Sequence, residues 1–343
     1  MQVDLQTIAL KPLRNTFKHL EKRFGDKVAS RYQEATYDLQ PTDNFHYRPT
    51  WDPEREIHDV RRTKIVLKDW YVLKDPRQFY WYVLKDPRQF YYGTYTQARA
   101  RQQDAIEKSF DFIEERGLEN SLNAEVKAIA LKTLMPLRHV AWGANMNNNC
   151  LAAYAYGTAL NQACTFASFD HLGIAQYLTR LGLALGDVDA LKAGKASWEK
   201  DADWQPLRQY VEETLVTRDV MELFVAQNFA LDGLLYPLVY KEAVDGVWAV
   251  KSGPTIGMMT VFMADWQAET AKWVDAVLKA AAAESPENKA LLSEWASAWA
   301  KKAKAALVPV SKIALGVEAD AALADVSFAL QERAKKIGIE LNF

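Results

Sequence analysis

Carboxylates and histidines three residues apart could do metal chemistry on a helix, because positions i and i+3 point the same way and can meet one metal pair. Di-iron carboxylate sites in helix bundles use two Glu-x-x-His motifs and a Glu from each of two further helices. The chain has five histidines. The residues three positions before them, none of which is Glu, are Thr16, Asp43, Arg55, Pro136 and Ser168. The nearest match, Asp43 before His46, lies in an irregular stretch, so the sequence excludes a di-iron site of this kind.

Motifs for other common chemistries do not occur in the sequence. It contains no G-x-G-x-x-G, no P-loop, no G-x-S-x-G, no H-E-x-x-H and no C-x-x-C. The two cysteines, Cys150 and Cys164, lie in a segment with a helical pattern. This indicates reduced, buried thiols rather than a disulfide framework.

Polar residues interrupt two helical segments that are otherwise mostly apolar. Asn145, Asn147, Asn148 and Asn149 lie in "GANMNNNC", and Asp232 lies in "NFALDGLLYP". Buried amides and carboxylates must be hydrogen-bonded. We therefore interpret these residues as parts of structural networks or subunit contacts rather than as catalytic groups.

The overall composition is that of a soluble globular protein. The chain has 343 residues, of which 49% are hydrophobic and 25% charged, and its net charge is -2. This charge gives no indication of a nucleic-acid partner. The N-terminus lacks the pattern of a secretory signal, and no apolar run approaches the roughly 18 residues that span a bilayer. We expect a cytoplasmic protein that does not bind membranes.

The elements that must position these residues are helices. From about Arg88 onward, apolar residues recur at helical spacing, and strand patterns are nearly absent. Asp86 and Pro87 are predicted to be the N-cap and first residue of a helix that ends at Gly117. Later helices are predicted at about 123–135, 136–157, 158–186, 204–240, 254–283, 286–306 and 319–337. Long helices in this arrangement predict an all-α bundle.

Residues 1–92 are predicted to form an arm outside the bundle. Prolines interrupt it repeatedly, and one short helix is predicted in it, at 13–24. A disordered tail would be poor in aromatic residues. Five aromatic side chains here need a surface to bury against, namely Tyr32, Tyr37, Phe45, Tyr47 and Trp51. They pack either on this chain's own helices or, as interface anchors, on another subunit, and the sequence leaves both open.

An eleven-residue segment occurs twice in succession, as "WYVLKDPRQFY" at 70–80 and again at 81–91. Two copies are too few for a solenoid, which needs at least three units. We interpret the doubling as a tandem duplication or as an error in the recorded sequence, which the mass of the intact chain distinguishes. Because the second copy leads directly into the first long helix, we expect it to take the structural position and the first copy to be looped out.

Five stretches together resemble one family of proteins. They are "FGDKVASRYQEATYD" at 24–38, "NFHYRPTWDP" at 44–53, "DPRQFYYGTY" at 86–95, "PLRHVAWGANMNNN" at 136–149 and "LDGLLYPLVY" at 231–240. In this order, they are similar to the β subunit of the hydroxylase component of bacterial multicomponent phenol hydroxylase, a soluble di-iron monooxygenase. The similarity covers essentially the whole chain.

The resemblance implies a ferritin-like helical domain at 93–343 and an extended arm at 1–92 that lies on neighbouring subunits. It implies an (αβγ)2 hydroxylase in which the α subunit holds the di-iron centre and the β subunit holds no metal or other cofactor. A reductase supplies electrons from NADH, a small regulatory protein binds the hydroxylase, and phenol is hydroxylated to catechol with O2. On this basis we expect a non-catalytic, structural subunit of an oxidoreductase.

The resemblance also implies where metal ligands have been lost. The α subunits carry a D-E-x-R-H pattern on each of two iron-binding helices, and similar stretches in this chain begin at Asp170 and Asp265. The positions of the Glu and His ligands are then His171, Ile174, Trp266 and Glu269. An aliphatic and an indole side chain would fill the space, which predicts an apolar core without buried carboxylates.

Other functions remain open at this point. An active di-iron oxygenase conflicts with the missing Glu-x-x-His motifs, although stoichiometric iron in the isolated chain would support it. A stand-alone helical protein that binds an apolar ligand leaves the aromatic arm unexplained. Within the resembling family, the alternative is a β subunit of a toluene or alkene monooxygenase, because the substrate is chosen in a pocket on another chain.

Overall fold

The computed structural model describes Tyr32, Lys64, Ile65, Leu84, residues 86–155 and residues 158–343. The eight main helices in these ranges are α1 (Tyr92–Arg116), α2 (Ala124–Tyr154), α3 (Thr158–Lys200), α4 (Gln205–Leu215), α5 (220–252), α6 (Thr255–Glu284), α7 (Pro286–Leu315) and α8 (Ala319–Lys336). No strand occurs in the described ranges. The predicted all-α, ferritin-like bundle is confirmed.

The first helix begins later than predicted, because Asp86 does not cap it. The Asp86 carboxylate accepts hydrogen bonds from the Arg88 backbone N–H at 2.9 Å and from the Arg88 guanidinium at 2.8 Å. The chain turns there, and helix α1 starts only at Tyr92, where Thr94 Oγ1 accepts from the N–H of Tyr91. The predicted N-cap is therefore wrong, because the Asp86 carboxylate pairs with Arg88 instead of capping the helix. The helix ends at Gly117, as predicted, which adopts a left-handed φ of 60°.

The second copy of the duplicated segment leads into helix α1, as expected. Leu84, Asp86 and Phe90 from this copy are buried against the bundle. The first copy, at 70–80, lies outside the described residues.

Helices α2 and α3 form an antiparallel hairpin. Asn123 Oδ1 caps α2 by accepting from the N–H groups of Glu125 and Val126. The two helices predicted at 123–135 and 136–157 are one helix, with Pro136 in its interior. Helix α3 begins at 158 as predicted, but it continues past a kink at Gly186 and Asp187 to Lys200.

Helix α5 runs through the centre of the bundle. A single helix was predicted at 204–240, but the structure has two. The first ends at Leu215, and the second begins at Val220 because Asp219 caps it. Nearly every residue from 220 to 240 is buried, which confirms the prediction of a helix apolar on all sides. Two of its segments, Val225–Leu231 and Pro237–Trp248, are π-helical, a geometry that is frequent at functional sites.

Helices α6, α7 and α8 complete the bundle. The predicted ends of α6 and α8 agree with the structure within one or two residues, whereas α7 continues nine residues beyond the predicted end at 306, to Leu315. Among the described helices, none combines the length and apolar character needed to cross a membrane.

Candidate functional site

The four positions predicted from the resemblance to be those of lost metal ligands lie on two neighbouring helices. His171 and Ile174 project from α3, whereas Trp266 and Glu269 project from α6. The first three side chains are buried, and the rings of His171 and Trp266 meet edge to face with centroids 4.7 Å apart. The fold therefore brings these residues to one place in the bundle.

Asp170 lies beside them and is saturated with hydrogen-bond donors. Its Oδ2 accepts from Trp266 Nε1 at 2.9 Å, and its Oδ1 accepts from the hydroxyl of Tyr95 at 2.9 Å. The guanidinium of Arg99 donates to both carboxylate oxygens at 2.7 Å. Since the side chain is 1% exposed, this carboxylate is a fully paired buried charge.

Two arginines extend this arrangement to further carboxylates. Arg99 also donates to Glu269 at 2.9 Å, and Arg88 pairs with Asp86 at 2.8 Å and with Glu269 at 3.7 Å. We call Asp86, Arg88, Tyr95, Arg99, Asp170, Trp266 and Glu269 the Asp170 cluster. It ties the chain before α1 to helices α1, α3 and α6.

Burial and pairing set the ionisation of this cluster. Burial lowers the pKa of Arg99, but the hydrogen bonds and negative charge of Asp170 and Glu269 outweigh it, so the pKa lies above its ordinary value. Burial also raises the pKa of Tyr95, and the neighbouring Asp170 raises it further. The guanidinium therefore stays charged and the phenol stays neutral, which keeps both as donors.

A second set of polar side chains continues from His171 into the centre of the bundle. His171 Nε2 lies 3.4 Å from Asp232 Oδ2, and the hydroxyl of Tyr236 lies 3.4 Å from His171 Nδ1. Asp232 Oδ1 accepts from Gln227 Nε2 at 2.9 Å, and Gln227 Oε1 accepts from Asn147 Nδ2 at 2.8 Å. We call these five residues the His171 network. They join helices α2, α3 and α5.

Several of the buried polar residues noted in the sequence take part in hydrogen bonds between helices. Asp232 and Asn147 belong to the His171 network, and Asn145 Nδ2 donates to the carbonyl of Ser168 at 2.6 Å. Neither Cys150 nor Cys164 forms a disulfide, and Cys164 is buried. Burial raises the pKa of the Cys164 thiol well above its ordinary value, which makes it unreactive.

The prediction of an apolar core without buried carboxylates is wrong. Ile174 and Trp266 do fill space as expected, but Asp170 and Asp232 are buried between them and the neighbouring helices. For Asp170, pairing with Arg99 explains this, because a charge inside a bundle is tolerated when it is paired and hydrogen-bonded. The two stretches that resemble the iron-binding pattern also differ from each other, since Asp265 is exposed whereas Asp170 is buried.

These residues do not fit a di-iron centre. Both oxygens of Asp170 are taken by donors, and Ile174 and Trp266 supply no metal-binding atom at two of the ligand positions. His171 and Asp232 face each other alone, which is fewer than the six ligands such a site needs. Within the described residues, no group of three or more His, Cys, Asp or Glu side chains could hold a metal ion.

Of the five aromatic residues predicted as interface anchors, the structure describes Tyr32. Its side chain is buried, and its hydroxyl accepts a hydrogen bond from the Asp86 N–H at 2.9 Å. Burial raises the pKa of Tyr32 to about 12. The contact is therefore with this chain's own residues. Tyr37, Phe45, Tyr47 and Trp51 lie outside the described residues.

The sequence analysis missed the two arginines whose positive charges balance the carboxylates of this site. Arg88 and Arg99 carry no recognisable motif, and they meet Asp170 and Glu269 only through the fold. The spacing of Tyr95 and Arg99 by one helical turn was the available signal, since it places both on one face of α1.

Comparison with known proteins shows the family. Residues 80–285 match the model of the Methane/Phenol/Alkene Hydroxylase family. The chain belongs to this family. The match begins at the last residue of the first copy of the duplicated segment, so the second copy lies wholly inside it.

Individual relatives agree with this hydroxylase family. The chain is 44% identical over 342 residues to phenol 2-monooxygenase, oxygenase component DmpL, of Pseudomonas sp. (strain CF600), with 99% of each chain covered. It is similar to a chain in the crystal structure of phenol hydroxylase from Pseudomonas sp. OX1, with 40% identity, a TM-score of 0.83 and coverage of 98% of this chain and 99% of the other. The hydroxylase component subunit beta of the toluene-4-monooxygenase system of Ectopseudomonas mendocina is 24% identical over 304 residues, which cover 84% of this chain and 86% of that subunit. The resemblance to phenol hydroxylase predicted from the sequence is confirmed.

Proposed function

We propose that this chain is the non-catalytic β subunit of a phenol hydroxylase. In this proposal a partner α subunit holds the di-iron centre and hydroxylates phenol to catechol, using O2 and electrons derived from NADH. The observation that carries the proposal is the Asp170 cluster. At the place of the former ligands, the buried carboxylate is already neutralised by Arg99 and hydrogen-bonded by Trp266.

In this proposal, the chain itself forms a rigid helical body. The Asp170 cluster ties α1, α3 and α6 together, and the His171 network ties α2, α3 and α5. Paired buried charges add geometric specificity, since any shift between these helices leaves a charge unpaired in a medium of low polarity. A rigid body of this kind suits a subunit that supports the shape of a partner subunit.

The proposed assembly is (αβγ)2, served by a regulatory protein and an NADH-dependent reductase. Residues 1–92 act as a partner-wrapping arm, and residues 93–343 as the helical domain. We place the complex in the cytoplasm, with no membrane or nucleic acid as a partner. Support comes from the absence of a disulfide at Cys150 and Cys164, which is typical of a reducing compartment, and from a net charge of -2.

Phenol is favoured over toluene or an alkene as the substrate of the complex. Identity to the phenol 2-monooxygenase component is 44% over 99% of the chain, against 24% for the toluene-4-monooxygenase subunit. The substrate is selected in the partner's pocket. The preference for phenol therefore rests on the similarity of this chain to the phenol 2-monooxygenase component.

The test is to purify the tagged full-length chain both alone and after co-expression with its α and γ partners. We expect the lone chain to contain no stoichiometric iron and to form no catechol. The co-expressed complex should contain iron and oxidise phenol when the reductase and regulatory protein are supplied. Stoichiometric iron in the lone chain, with the spectrum of a carboxylate-bridged pair, would contradict the proposal.

A further inference from the structure

The aromatic side chains beside His171 include three that are easily oxidised and lie in contact. The ring centroids of Tyr236 and Trp266 are 4.9 Å apart, and Tyr240 continues the group at 5.5 Å from Tyr236. All three side chains are buried. The phenol of tyrosine and the indole of tryptophan lose a single electron more readily than the other aromatic side chains. These rings could therefore hold an oxidising equivalent inside the bundle.

A base lies beside the phenol of Tyr236. Its hydroxyl is 3.4 Å from Nδ1 of His171, whose Nε2 lies 3.4 Å from Oδ2 of Asp232. In a neutral imidazole, one nitrogen carries the hydrogen and the other accepts a hydrogen bond. Because Nε2 faces a carboxylate, it is the nitrogen that carries the hydrogen, and Nδ1 is left to accept from the phenol. The three side chains thus lead from phenol to imidazole to carboxylate.

This order of groups matters because a phenol that has lost an electron is a strong acid. Burial, followed by the negative charge of Asp232, raises the pKa of Tyr236 well above its ordinary value, so the resting side chain keeps its proton. A positive charge left on the buried ring would be unfavourable, so the proton must leave together with the electron. His171 is placed to receive it, and the carboxylate of Asp232 stabilises the imidazolium that forms.

Tyr210 shows what is particular to Tyr236. It is also buried, its ring centroid lies 5.3 Å from that of Trp299, and burial raises its pKa too. Its hydroxyl, however, donates to the backbone carbonyl of Ala226 at 2.8 Å. A carbonyl oxygen accepts a hydrogen bond but does not take up the proton. Burial, a tryptophan neighbour and a hydrogen bond are therefore common to both tyrosines, and the base distinguishes Tyr236.

A path for the electron leads from Tyr236 towards the surface. Trp266 Nε1 and the hydroxyl of Tyr95 donate to opposite oxygens of Asp170, each at 2.9 Å, so this carboxylate joins the two side chains. Tyr95 is 8% exposed, whereas Trp266 is fully buried. Electrons tunnel between groups in contact. An oxidant at the surface can therefore oxidise Tyr236 through Trp266 without entering the bundle.

We propose that Tyr236 is a redox-active tyrosine that traps one-electron oxidants, with His171 as its proton acceptor. In the trapping step, a peroxyl radical gains one electron from Tyr236, the phenolic O–H bond breaks, and the proton passes to His171 Nδ1. The peroxyl radical takes a proton from water and becomes a hydroperoxide. A thiol then returns one electron to the phenoxyl oxygen, which regains its proton from His171, and the oxidised thiol releases the proton that restores the water. The inference concerns this chain alone and is independent of the proposed assembly.

The test oxidises the purified full-length chain with light. A ruthenium tris-bipyridine complex with persulfate removes single electrons from the protein, and transient absorption and electron paramagnetic resonance follow the neutral tyrosyl radical. Because a positioned base speeds proton transfer by roughly 100-fold or more, we expect Tyr236→Phe to lower the yield of long-lived tyrosyl radical about tenfold. Tyr210→Phe is the matched control and should leave the yield unchanged. An undiminished yield in Tyr236→Phe, or equal losses in the two variants, would overturn the proposal.

A third variant tests the base separately from the tyrosine. His171→Gln keeps a donor for Asp232 and an acceptor for Tyr236, but an amide does not take up a proton. We expect about the same tenfold loss of long-lived radical, although Tyr236 is present. Thermal melting shows whether the variant is folded. A folded His171→Gln chain whose radical lasts as long as that of the wild type would show that His171 is not the proton acceptor, and the proposal would be wrong.

A measurement on the wild-type chain decides the matter if the variants do not fold. After illumination in air, mass spectrometry of peptides locates the tyrosines that have gained oxygen. Tyr236 and Tyr210 are 5% and 3% exposed, so direct attack from the solvent does not favour either of them strongly, whereas a radical trapped at Tyr236 does. We expect about tenfold more oxidation at Tyr236 than at Tyr210. Equal oxidation of the two, or oxidation confined to exposed residues, would refute the proposal.

Discussion

Arg99 and Asp170 form a bidentate ion pair inside the bundle, with Nε–Oδ1 and Nη2–Oδ2 distances of 2.7 Å. The two residues are 71 positions apart in sequence, on α1 and α3. An isolated carboxylate at the position of Asp170 would be strongly unfavourable. The arginine makes the acid tolerable, and in doing so it fixes the distance between two helices.

Replacing Arg99 should therefore destabilise the chain strongly. Arg99→Gln leaves Asp170 buried without its charged partner, and breaking such a pair costs roughly 3–5 kcal/mol. Urea denaturation followed by circular dichroism measures this loss. Arg101→Gln, on the exposed side of the same helix, is the matched control and should change the free energy of unfolding by less than about 0.5 kcal/mol. Equal effects of the two variants would show that the pair does not stabilise the fold.

The indole of Trp266 should matter for its N–H as well as for its volume. Trp266→Phe removes the donor to Asp170 Oδ2 and should lower the free energy of unfolding by about 1–3 kcal/mol. Trp299→Phe is the control, since Trp299 Nε1 donates to the partly exposed Glu222 and its loss should cost only about 0.5–1.5 kcal/mol. Thermal melting of both variants decides the order, and a larger loss for Trp299→Phe would contradict it.

The duplicated segment provides an internal control for its own second copy. Arg88, in the second copy, is 3% exposed at its side chain and pairs with Asp86, while its guanidinium lies 5.0 Å from the ring centre of Trp273. Arg77 is the same residue of the first copy. Arg88→Gln should lower the melting temperature by several degrees, since it leaves Asp86 buried and unpaired. Arg77→Gln should leave the melting temperature unchanged. Equal shifts would mean that either copy takes the position before α1.

His139 should contribute to a loss of stability in mild acid. Burial, and then the positive charge of Arg138, lowers its pKa below the ordinary value of 6.5, although Glu199 opposes this and Lys195 adds to it. As the pH falls below about 6.5, the unfolded chain takes up the proton first, so the free energy of unfolding decreases. His139→Gln should flatten the dependence of unfolding on pH between pH 7 and pH 5. Urea denaturation at a series of pH values measures it, and an unchanged slope would exclude His139 as the cause.

The sequence predicted the helices where the pattern was strong and missed what depends on contacts between distant residues. The all-round apolar run from Val220 correctly predicted a central helix, because no other environment suits it. The break before that helix was missed although Asp219 is an ordinary N-cap, since the periodicity on both sides of it continues without interruption. Pro136 predicts a helix boundary, yet α2 is one continuous helix around it, with both sides of the proline packed in the core.

The resemblance placed His171 and Trp266 side by side, but it did not indicate the charges that surround them. The register that placed His171 and Trp266 together came from local sequence similarity, and the structure brings their rings to 4.7 Å. Arg88 and Arg99 belong to other segments, so no local pattern could show that they neutralise Asp170 and Glu269. An apolar core was therefore the natural expectation, and it failed because the balancing charges come from a long distance along the chain.

The guanidinium groups of the Asp170 cluster bear on the order of folding and iron loading in the proposed hydroxylase complex. A metal ion must be delivered, can be removed by a chelator and depends on the supply of iron in the cell, whereas arginine is present from synthesis and keeps its charge at every physiological pH. The charge balance inside this chain is therefore complete at the moment it folds. In the proposed assembly, a subunit built this way is folded and charge-balanced before its partner has received iron.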